Sequence, residues 1–433
     1  MDNIGFYRNS SNNLSVQNID VVRLIEKYGS PLYIYDGDLI RKSYLNLKKA
    51  IKPINGNIHY AVKANDNLGI IKLLSQLGCG ADVVSIGELK KCMKAGMRPR
   101  NIIFSGVGKD KHEIEYAISK GIQQLNIESV EELDDVIEIS NHLKQSINVA
   151  IRANLDIKAN THEKISTGDE TSKFGISLLE IPKVYKTIYN SNYLKPYGLA
   201  VHIGSQIFDI KLLKNTYSEL KKLANSLIKL GFKVNNLDLG GGFGVNYKKF
   251  EIQNFKKIEE MLTKLFLGSH FKICFEPGRS LVADAGILVT KVIREKKTSA
   301  KNFLIVDAGM NDFIRPTLYN AYHRIEPILT DASRKKIFYD IVGPICETGD
   351  FFGLNQKIQK TFKNEFLAIM SAGAYGKVMS SNYNTRPNIA EILVYNKKDY
   401  LLKNKQSITE LINQELNPDI WQLINVFSWV MSL

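Results

Sequence analysis

The sequence has only four cysteines in 433 residues, and none of them forms a Cys-x-x-Cys pair. Cys79, Cys92, Cys274 and Cys346 are too few and too far apart for a disulfide framework or a thiolate metal site. No uninterrupted apolar run approaches the ~18 residues that a membrane-spanning helix requires. The amino-terminal 15 residues are polar and lack the apolar core of a secretion signal. These absences predict a cytoplasmic protein without a metal centre, a disulfide scaffold or a membrane anchor.

Long runs of basic residues are also missing, although the net charge is +14. Lysines are scattered singly or in pairs among Asn and Ile, and no nucleic-acid-binding motif occurs. A lysine-rich solvated surface therefore explains the charge better than a nucleic-acid partner. Hydrophobic residues make up 44% and charged residues 24% of the chain, as in an ordinary soluble enzyme. The length favours two domains rather than one.

Eight strand-like apolar runs recur along the chain, and most are followed by an amphipathic, helix-like stretch. The runs are His59–Ala64, Ala81–Ser85, Asn101–Ser105, Gln124–Glu128, Ile147–Ala153, Leu199–Gly204, Leu237–Gly241 and Lys272–Glu276. Glycine follows several helix-like stretches, as at a helix C-cap, and Ser129 with Glu132 predicts a capping box. This alternation predicts an α/β (β/α)8 TIM barrel over residues 35–280. An open doubly wound sheet is the alternative, but no Gly-x-Gly-x-x-Gly turn follows the first strand.

Beyond about Arg279 the pattern changes to short strand-like runs separated by Gly, Pro and Asn, with few helices between them. These runs are Ile287–Ile293, Phe303–Asp307, Ile337–Val342, Phe366–Ala372 and Glu391–Tyr395. They predict a β-rich carboxyl-terminal domain, a β-sandwich or β-barrel, over residues 281–433. Residues 1–34 fit neither the barrel rhythm nor a tail, and we expect them to contribute to that domain. The polar segment 161–173 is a candidate lid over the barrel mouth.

Lys63 lies at the carboxyl end of the first predicted strand, where barrel enzymes place their chemistry. Burial lowers the pKa of a lysine, so that its amine can form a Schiff base with an aldehyde cofactor or a carbonyl substrate. Taken alone, Lys63 is better explained as a lysine that extends to solvent or pairs with a carboxylate at a strand end. Later strand ends carry further polar and glycine residues: His202, Ser205, Gly240, Gly241, Gly242, Glu276, Pro277, Gly278 and Arg279.

Glycine-rich turns after the last two barrel strands are where barrels bind phosphate through backbone N–H groups. A phosphate nest opposite a Schiff-base lysine predicts pyridoxal phosphate as the cofactor. Glu276 would then keep the pyridine nitrogen protonated, unless it only pairs with Arg279 at the barrel mouth. His202 would stack on the pyridine ring, unless it is a hydrogen-bonded core histidine. His162 and His323 stay unassigned, because packing explains each of them as well as function does.

Four of these segments resemble the motifs of the alanine-racemase-fold, group IV pyridoxal phosphate-dependent decarboxylases. The segments are Tyr60–Asn65, His202–Gln206, Gly240–Gly242 and Glu276–Arg279. Three later segments narrow the resemblance to the members that act on diaminopimelate: Asp307–Tyr319, Gly343–Asp350 and Ala372–Asn384. The resemblance runs from about Tyr28 to Asn396. The chain departs from the usual motifs of this family at Lys377, Val378 and Thr348. These departures leave the catalytic positions intact.

The resemblance implies decarboxylation of meso-2,6-diaminopimelate to L-lysine and CO2, with Lys63 as the cofactor lysine. It implies that the cofactor is also held by His202, Ser205, Gly240, Gly241, Gly242, Glu276, Pro277, Gly278, Arg279 and Tyr375. It implies that the substrate is bound by Arg279, Arg315, Tyr319, Glu347 and Tyr375. Within that set Glu347 would bind the distal ammonium, and Arg279, Arg315 and Tyr319 the distal carboxylate. Cys346 would protonate the carbanion, and both Cys346 and Glu347 would act in the partner's site of an obligate homodimer.

The expected substrate also has a physical basis, because arginine suits bidentate binding of carboxylates. Lysine or ornithine would leave the buried arginines unpaired, which disfavours such substrates strongly. A decarboxylase of ornithine, arginine, lysine or a polyamine precursor is the nearer alternative. A non-catalytic regulator on the same fold is the more distant one, since Lys63, Cys346 and the glycine triplet are all present. Taken singly, Arg315 could form an ion pair between the two domains, and Cys346 could be a small buried hydrophobic residue.

Overall fold

A computed structural model describes residues 5–157, 172–251 and 254–415. The predicted lid segment 161–173 lies outside these residues, except for its last two positions. Within the described ranges, no helix is both long enough and apolar enough to cross a membrane.

The amino-terminal part of the chain packs against residues that are distant in sequence. Its elements are β1 (Phe6–Arg8), β2 (Leu14–Val16), β3 (Ile19–Asp20), α1 (Val21–Tyr28), β4 (Leu32–Asp36) and α2 (Gly37–Ala50). The three short strands β1, β2 and β3 form an antiparallel sheet of their own. Arg8 fixes this sheet to a later part of the chain, because its Nη1 donates to the carbonyl of Ile328 at 2.6 Å.

Eight parallel strands of the described chain close into a barrel. In chain order the strands are β5 (Asn57–Ala61), β6 (Gly80–Val83), β7 (Ile102–Phe104), β8 (Gln124–Ile127), β9 (Ile147–Asn154), the accessory β10 (Ile176–Ser177), β11 (Leu194–Ala200), β12 (Asn236–Asp238) and β13 (Lys272–Phe275). The order β9-β11-β12-β13-β5-β6-β7-β8 closes because β8 also pairs with β9. The predicted (β/α)8 barrel is therefore confirmed, and the open doubly wound sheet is excluded.

The helices between these strands bury apolar residues against the barrel. They are α3 (Leu68–Gln76), α4 (Ile86–Lys94), α5 (Lys111–Lys120), α6 (Val130–Leu143), α7 (Ile181–Asn190), α8 (Ile210–Lys229), α9 (Lys256–Phe266) and α10 (Arg279–Val282). Gly121 ends α5 in the left-handed conformation with φ 67°, as the glycine pattern predicts. The predicted capping box of α6 is only half formed. The Ser129 hydroxyl accepts from the Glu132 amide at 3.2 Å, but the Glu132 side chain accepts from the amide of Glu128.

The remaining strands form a second sheet beside the barrel. They are β14 (Gly286–Lys297), β15 (Asn302–Val306), β16 (Ile325–Pro327), β17 (Lys336–Val342), β18 (Phe351–Gln359), β19 (Phe366–Ile369), β20 (Ala390–Tyr395) and β21 (Lys398–Lys403), with the helices α11 (Arg315–Tyr319) and α12 (Ile408–Ile412). The order is β18-β17-β15-β14-β4-β20-β21, with β19 pairing with β14 and β16. The β-rich second part is therefore confirmed. The division at residues 34/35 and 280/281 stays a prediction, and β4 spans the first of these boundaries.

Several barrel strands end earlier than predicted. Strand β5 stops at Ala61, and Lys63 lies in the following 3-10 turn, Val62–Ala64. The Asn65 amide closes this turn by donating to the Val62 carbonyl at 3.0 Å. Glu276 likewise follows β13 rather than ending it. The polar residues at the barrel mouth thus lie on turns, where their backbone is released from the strand ladder.

Candidate active site

Three adjoining cavities lie at the carboxyl ends of the barrel strands, and all three are lined by Lys63 and His202. The largest, which we call the distal chamber, has a volume of about 560 Å³ and extends to Arg315 on α11. A second cavity of about 340 Å³ includes Arg152 and Glu276, and a third of about 30 Å³ includes Glu276 as well. The structure therefore brings the strand-end residues of the barrel and residues of α11 and of the loop that holds Tyr375 into one site.

Lys63 forms an ion pair that the sequence did not single out. Its Nζ lies 3.0 Å from Oδ2 of Asp82, a fully buried residue of β6. Burial lowers the pKa of Lys63, but the negative charge of Asp82 outweighs that effect and raises the pKa above its usual value. The expected lowering of this pKa is therefore wrong in direction. The alternative of a carboxylate-paired lysine is observed, yet the same lysine lines all three cavities.

Glu276 is buried beside a second carboxyl group, that of Asp238. Burial and the adjacent Asp238 raise the pKa of Glu276 far above its usual range. Oε1 of Glu276 is buried and has no hydrogen-bond partner among the described residues. The alternative ion pair between Glu276 and Arg279 is not found in the described part of the chain. Glu276 can therefore offer an oxygen to a ligand that enters the barrel mouth.

The glycine triplet packs against His202 and the strand-end backbone of β13. The Gly241 amide donates to Nδ1 of His202 at 3.3 Å, so that this nitrogen is an acceptor. Burial and the nearby Arg152 and Lys63 lower the pKa of His202 well below its usual value, which keeps the ring neutral. A Cβ atom at Gly241 would collide with the carbonyl oxygen of Glu276. The bare backbone is thus required for the close approach of these two turns.

Arg279 is held in a fixed orientation by two hydroxyl groups. Its Nε and Nη2 donate to the Ser205 hydroxyl at 3.2 and 3.1 Å, and its Nη1 donates to the Tyr247 hydroxyl at 2.7 Å. The guanidinium carbon lies 4.7 Å from the ring centre of Tyr375. Tyr375 has the left-handed φ of 53°, a backbone conformation that is strained for a residue other than glycine. These contacts connect Ser205, Arg279 and Tyr375, which were all predicted site residues.

Arg315 begins α11 and is as deeply buried as Arg279, each having 5% of its surface exposed. Its Nε donates to Nε2 of His323 at 3.3 Å, and its guanidinium lies 5.7 Å from the ring centre of Tyr319. Neither guanidinium forms an ion pair with a described carboxylate. Aspartate and glutamate are also absent from the described residues that line the distal chamber. As far as the described residues go, the chamber is therefore a cationic site without a counter-charge of its own.

Cys346 and Glu347 are not brought to this chamber. Both residues are exposed, and neither belongs to the described lining of the three cavities. The Tyr383 hydroxyl donates to Oε1 of Glu347 at 2.5 Å, and the Cys346 amide donates to Oδ1 of Asn384 at 3.4 Å. The exposed loop that carries both residues is thus held by the segment 382–384. Because Cys346 is exposed, the alternative that it is a small buried hydrophobic residue is excluded.

Sequence reasoning missed four residues of the site: Asp82, Asp238, Tyr247 and His323. Asp82 and Asp238 each interrupt an apolar barrel strand, and an acid within a buried strand is a signal that could have identified them. Tyr247 carries no such signal. His323 was noticed, but its contact with Arg315 depends on tertiary structure.

Comparison with known proteins identifies the family. Residues 37–283, more than half of the chain, match the family described as "Pyridoxal-dependent decarboxylase, pyridoxal binding domain". The chain is 42% identical over 405 residues to the diaminopimelate decarboxylase of Aquifex aeolicus, which covers 93% of this chain and 96% of the relative. The corresponding enzyme of Zymomonas mobilis is 40% identical over 407 residues, with the same coverage of 93% and 96%. The chain belongs to the diaminopimelate decarboxylase family. The family predicted from the sequence motifs is therefore confirmed.

A solved structure of the family supports the fold as well. The crystal structure of diaminopimelate decarboxylase from Helicobacter pylori, complexed with L-lysine, has a TM-score of 0.87 and 39% sequence identity to this chain. The match covers 91% of this chain and 99% of that one. The predicted arrangement of a barrel and a β-rich region is thereby confirmed, and the match to the pyridoxal-dependent decarboxylase family confirms the predicted pyridoxal phosphate cofactor.

The site residues fit pyridoxal phosphate on two structural observations. The first is the buried, partnerless Oε1 of Glu276, which matches the protonated pyridine nitrogen of that cofactor. The second is the cradle at Gly241 and Gly242, where added Cβ atoms would collide with the backbone oxygens of neighbouring turns. Lys63 lines the same cavities and would hold the aldehyde group, while Ser205 and the glycines would hold the phosphate. These residue assignments stay predictions.

Proposed function

We propose that this protein decarboxylates meso-2,6-diaminopimelate to L-lysine and CO2 with pyridoxal phosphate. Family membership gives the reaction class. The observation that supports the substrate is the pair of buried guanidiniums, Arg279 and Arg315, which line one chamber with Lys63 and have no carboxylate partner among the described residues. Because guanidinium groups bind carboxylates bidentately, a substrate with a carboxylate at each end can react near Lys63 while its far end enters the arginine site.

Amino acids without a distal carboxylate suit this chamber poorly. Lysine or ornithine would bring a further cation next to Arg279 and Arg315 and would leave both guanidiniums unpaired. A site built around a polar group rejects analogues that lack the matching group by ~10⁴-fold or more. The chamber therefore favours the diamino diacid over a basic amino acid.

Each residue has a defined task in the proposal. When bound, pyridoxal phosphate supplies an electron sink for the carbanion that CO2 leaves behind. Lys63 would carry the cofactor and exchange it with the substrate amine, and Asp82 keeps the Lys63 amine oriented through their ion pair. Glu276 would hold a proton on the pyridine nitrogen through Oε1. Arg279 and Arg315, together with Tyr319, would bind the distal carboxylate and thereby fix how the reacting end lies.

A homodimer is part of the proposal. The loop with Cys346 and Glu347 is exposed, and Tyr383 and Asn384 hold it in place. This loop would enter the site of a partner subunit, where Cys346 gives a proton to the carbanion and Glu347 binds the distal ammonium. The distal chamber has no acid of its own among the described residues, so an acid from a partner would complete it.

Release of CO2 from parallel substrates tests the function. Protein saturated with pyridoxal phosphate is given meso-diaminopimelate, L-lysine, L-ornithine or L-arginine, and kcat/KM is measured for each. We expect kcat/KM for diaminopimelate to exceed the others by ~10³-fold or more. A preference for ornithine, arginine or lysine would replace the proposal with a basic amino-acid decarboxylase. A bound cofactor without CO2 release from any substrate would favour a regulator.

Mixing two inactive variants tests the shared site. Lys63→Ala and Cys346→Ala chains are unfolded together and refolded, so that half of the dimers contain one chain of each kind. Each mixed dimer has one site with an intact Lys63 and an intact Cys346 from the other chain. We expect recovery of about a quarter of wild-type activity. No recovery would mean that Cys346 acts in its own chain, and full activity of Cys346→Ala by itself would mean that Cys346 has no role.

A further inference from the structure

The His323 side chain is fixed to the second sheet by a hydrogen bond to the backbone. It lies just before β16, is 1% exposed, and has its Nδ1 2.9 Å from the carbonyl oxygen of Met370. The Met370 amide in turn donates to the Arg324 carbonyl at 2.8 Å, which continues the pairing of β16 with β19. The imidazole therefore has a fixed position relative to the sheet.

The contacts of the ring determine which nitrogen carries the proton. A carbonyl oxygen can only accept, so Nδ1 of His323 is the donor to Met370, and Nε2 keeps its lone pair. Arg315 uses that lone pair, since its Nε donates to Nε2 at 3.3 Å. The ring also packs edge-on against Tyr247 and Phe313, each at a centroid distance of 4.7 Å. Burial and the Arg315 charge lower the pKa of His323 to about 3, so the ring stays a neutral acceptor.

We propose that His323 is a positioning residue that sets which edge of the Arg315 guanidinium faces the substrate. With the Nε edge turned toward His323, the donors left for a ligand are those of the two terminal nitrogens. Arg315 would therefore bind the distal carboxylate end-on, in the bidentate geometry of two parallel hydrogen bonds. This inference rests on the proposed function for the identity of the substrate. It adds a selectivity determinant that does not itself touch the substrate.

The proposal predicts a change in binding rather than in chemistry. The distal contact is the same in the ground state and the transition state, so its loss raises KM and leaves kcat nearly unchanged. Without an acceptor at Nε2, the Arg315 guanidinium can rotate, and its two terminal nitrogens are no longer held toward the substrate. We expect a KM for diaminopimelate about tenfold higher when only that acceptor is removed, the usual effect of one hydrogen bond to a charged group.

Two isosteric variants separate the two contacts of the ring. In His323→Asn the amide nitrogen takes the place of Nδ1 and keeps the donor to Met370, but no acceptor reaches Arg315. In His323→Gln the amide oxygen extends to the place of Nε2 and keeps the acceptor. The probe is pimelate, a seven-carbon dicarboxylate without amino groups, titrated calorimetrically into cofactor-loaded protein. We expect about tenfold weaker binding for His323→Asn and a Kd within about threefold of wild type for His323→Gln.

A double-variant cycle tests whether His323 acts through Arg315. In an Arg315→Met background, His323→Asn should cause no further loss of pimelate affinity, because the group it positions is gone. Equal weakening by His323→Asn and His323→Gln, or an undiminished effect of His323→Asn without Arg315, would overturn the proposal. Retained cofactor absorbance and melting temperature show that the variants are folded.

Failure of the inference and failure of the proposed function remain distinguishable. Pimelate binding that depends on Arg315 and His323, without CO2 release from diaminopimelate, would contradict the function and support the positioning role. Normal turnover of diaminopimelate in His323→Asn, with unchanged KM and pimelate affinity, would contradict only the positioning role.

Discussion

Replacement of Arg315 by methionine should lower activity without lowering stability. Arg315 is 5% exposed and has no described carboxylate partner, and burial together with the charge of Arg279 lowers the pKa of its guanidinium. A buried charge of this kind costs several kcal/mol, whereas methionine fills a similar volume without that penalty. The substitution removes one hydrogen bond to His323, worth about 1 kcal/mol. We therefore expect the melting temperature of Arg315→Met to be unchanged or higher.

The expected loss of activity follows from the contact with substrate. Two end-on hydrogen bonds from the Arg315 guanidinium to a carboxylate are worth about 1.5–3 kcal/mol each. Their joint loss of roughly 3–6 kcal/mol lowers kcat/KM for diaminopimelate by about 10²- to 10⁴-fold. The kcat/KM for L-lysine should change far less, so that the selectivity ratio between the two substrates falls.

A matched arginine provides the control. Nη1 of Arg334 donates to both carboxylate oxygens of Glu365 at 2.8 and 2.9 Å, and the Arg334 side chain is 29% exposed. Arg334→Met should lose up to about 1 kcal/mol of stability, because a partly exposed ion pair contributes little more. Its kcat/KM should equal that of wild type. A clear fall in the melting temperature of Arg315→Met, with kcat/KM for diaminopimelate within about threefold of wild type, would refute the reasoning.

Three further predictions concern the cofactor and pH. Lys63→Ala should lose turnover and the visible absorbance of the bound cofactor together, and steady-state activity in that variant would remove Lys63 from its role. Gly241→Ala should weaken cofactor binding by at least about tenfold, because its Cβ displaces the Glu276 turn, whereas Gly87→Ala, whose Cβ would make only an ordinary contact of 3.6 Å with the Ser85 hydroxyl oxygen, should not. Burial raises the pKa of Asp284 to about 6 from its usual 3.8, so the stability it contributes is present at low pH and is lost as the pH rises through about 6. Urea unfolding should therefore show wild type losing about 2–3 kcal/mol relative to Asp284→Asn between about pH 4 and 7, and parallel curves would contradict this.

The barrel could be predicted because the patterns that indicate its strands and helices are formed by residues close together in the sequence. Each barrel strand is an apolar run, and each following helix has an apolar face and a terminal cap, so the alternation is visible along the chain. The edge strands β18 and β21 were missed because their buried and exposed residues do not alternate; β21 has no buried residue at all. The pairing of β4 with β14 and β20 was also missed, since it joins residues more than 250 positions apart.

The site was predictable to the extent that the fold determines it. Parallel strands bring their carboxyl ends together, so Lys63, His202 and Glu276 could be placed at one mouth before any contact was known. The direction of the Lys63 pKa could not be derived in the same way. Burial was visible in the sequence, but the opposing charge of Asp82 depends on the register of β5 with β6. Local sequence therefore predicts which residues meet, and the electrostatics require the geometry.

The acidic and basic residues of the site lie in separate parts of it, and this separation bears on the proposed homodimer. The acids Asp82, Asp238 and Glu276 lie in the barrel, whereas the distal chamber is lined by Arg279 and Arg315 and by no described acid. A diamino diacid has an ammonium as well as a carboxylate at its far end, and the arginines serve only the carboxylate. An acid must therefore enter the distal chamber from outside the described lining. Glu347 lies on an exposed loop, is held there by the Tyr383 hydroxyl, and does not line the chamber. This position suits an acid that would bind in a partner's site. Within the described part of the chain, the arrangement of charges therefore supports the proposed homodimer, in which Glu347 would supply that acid to the partner's chamber.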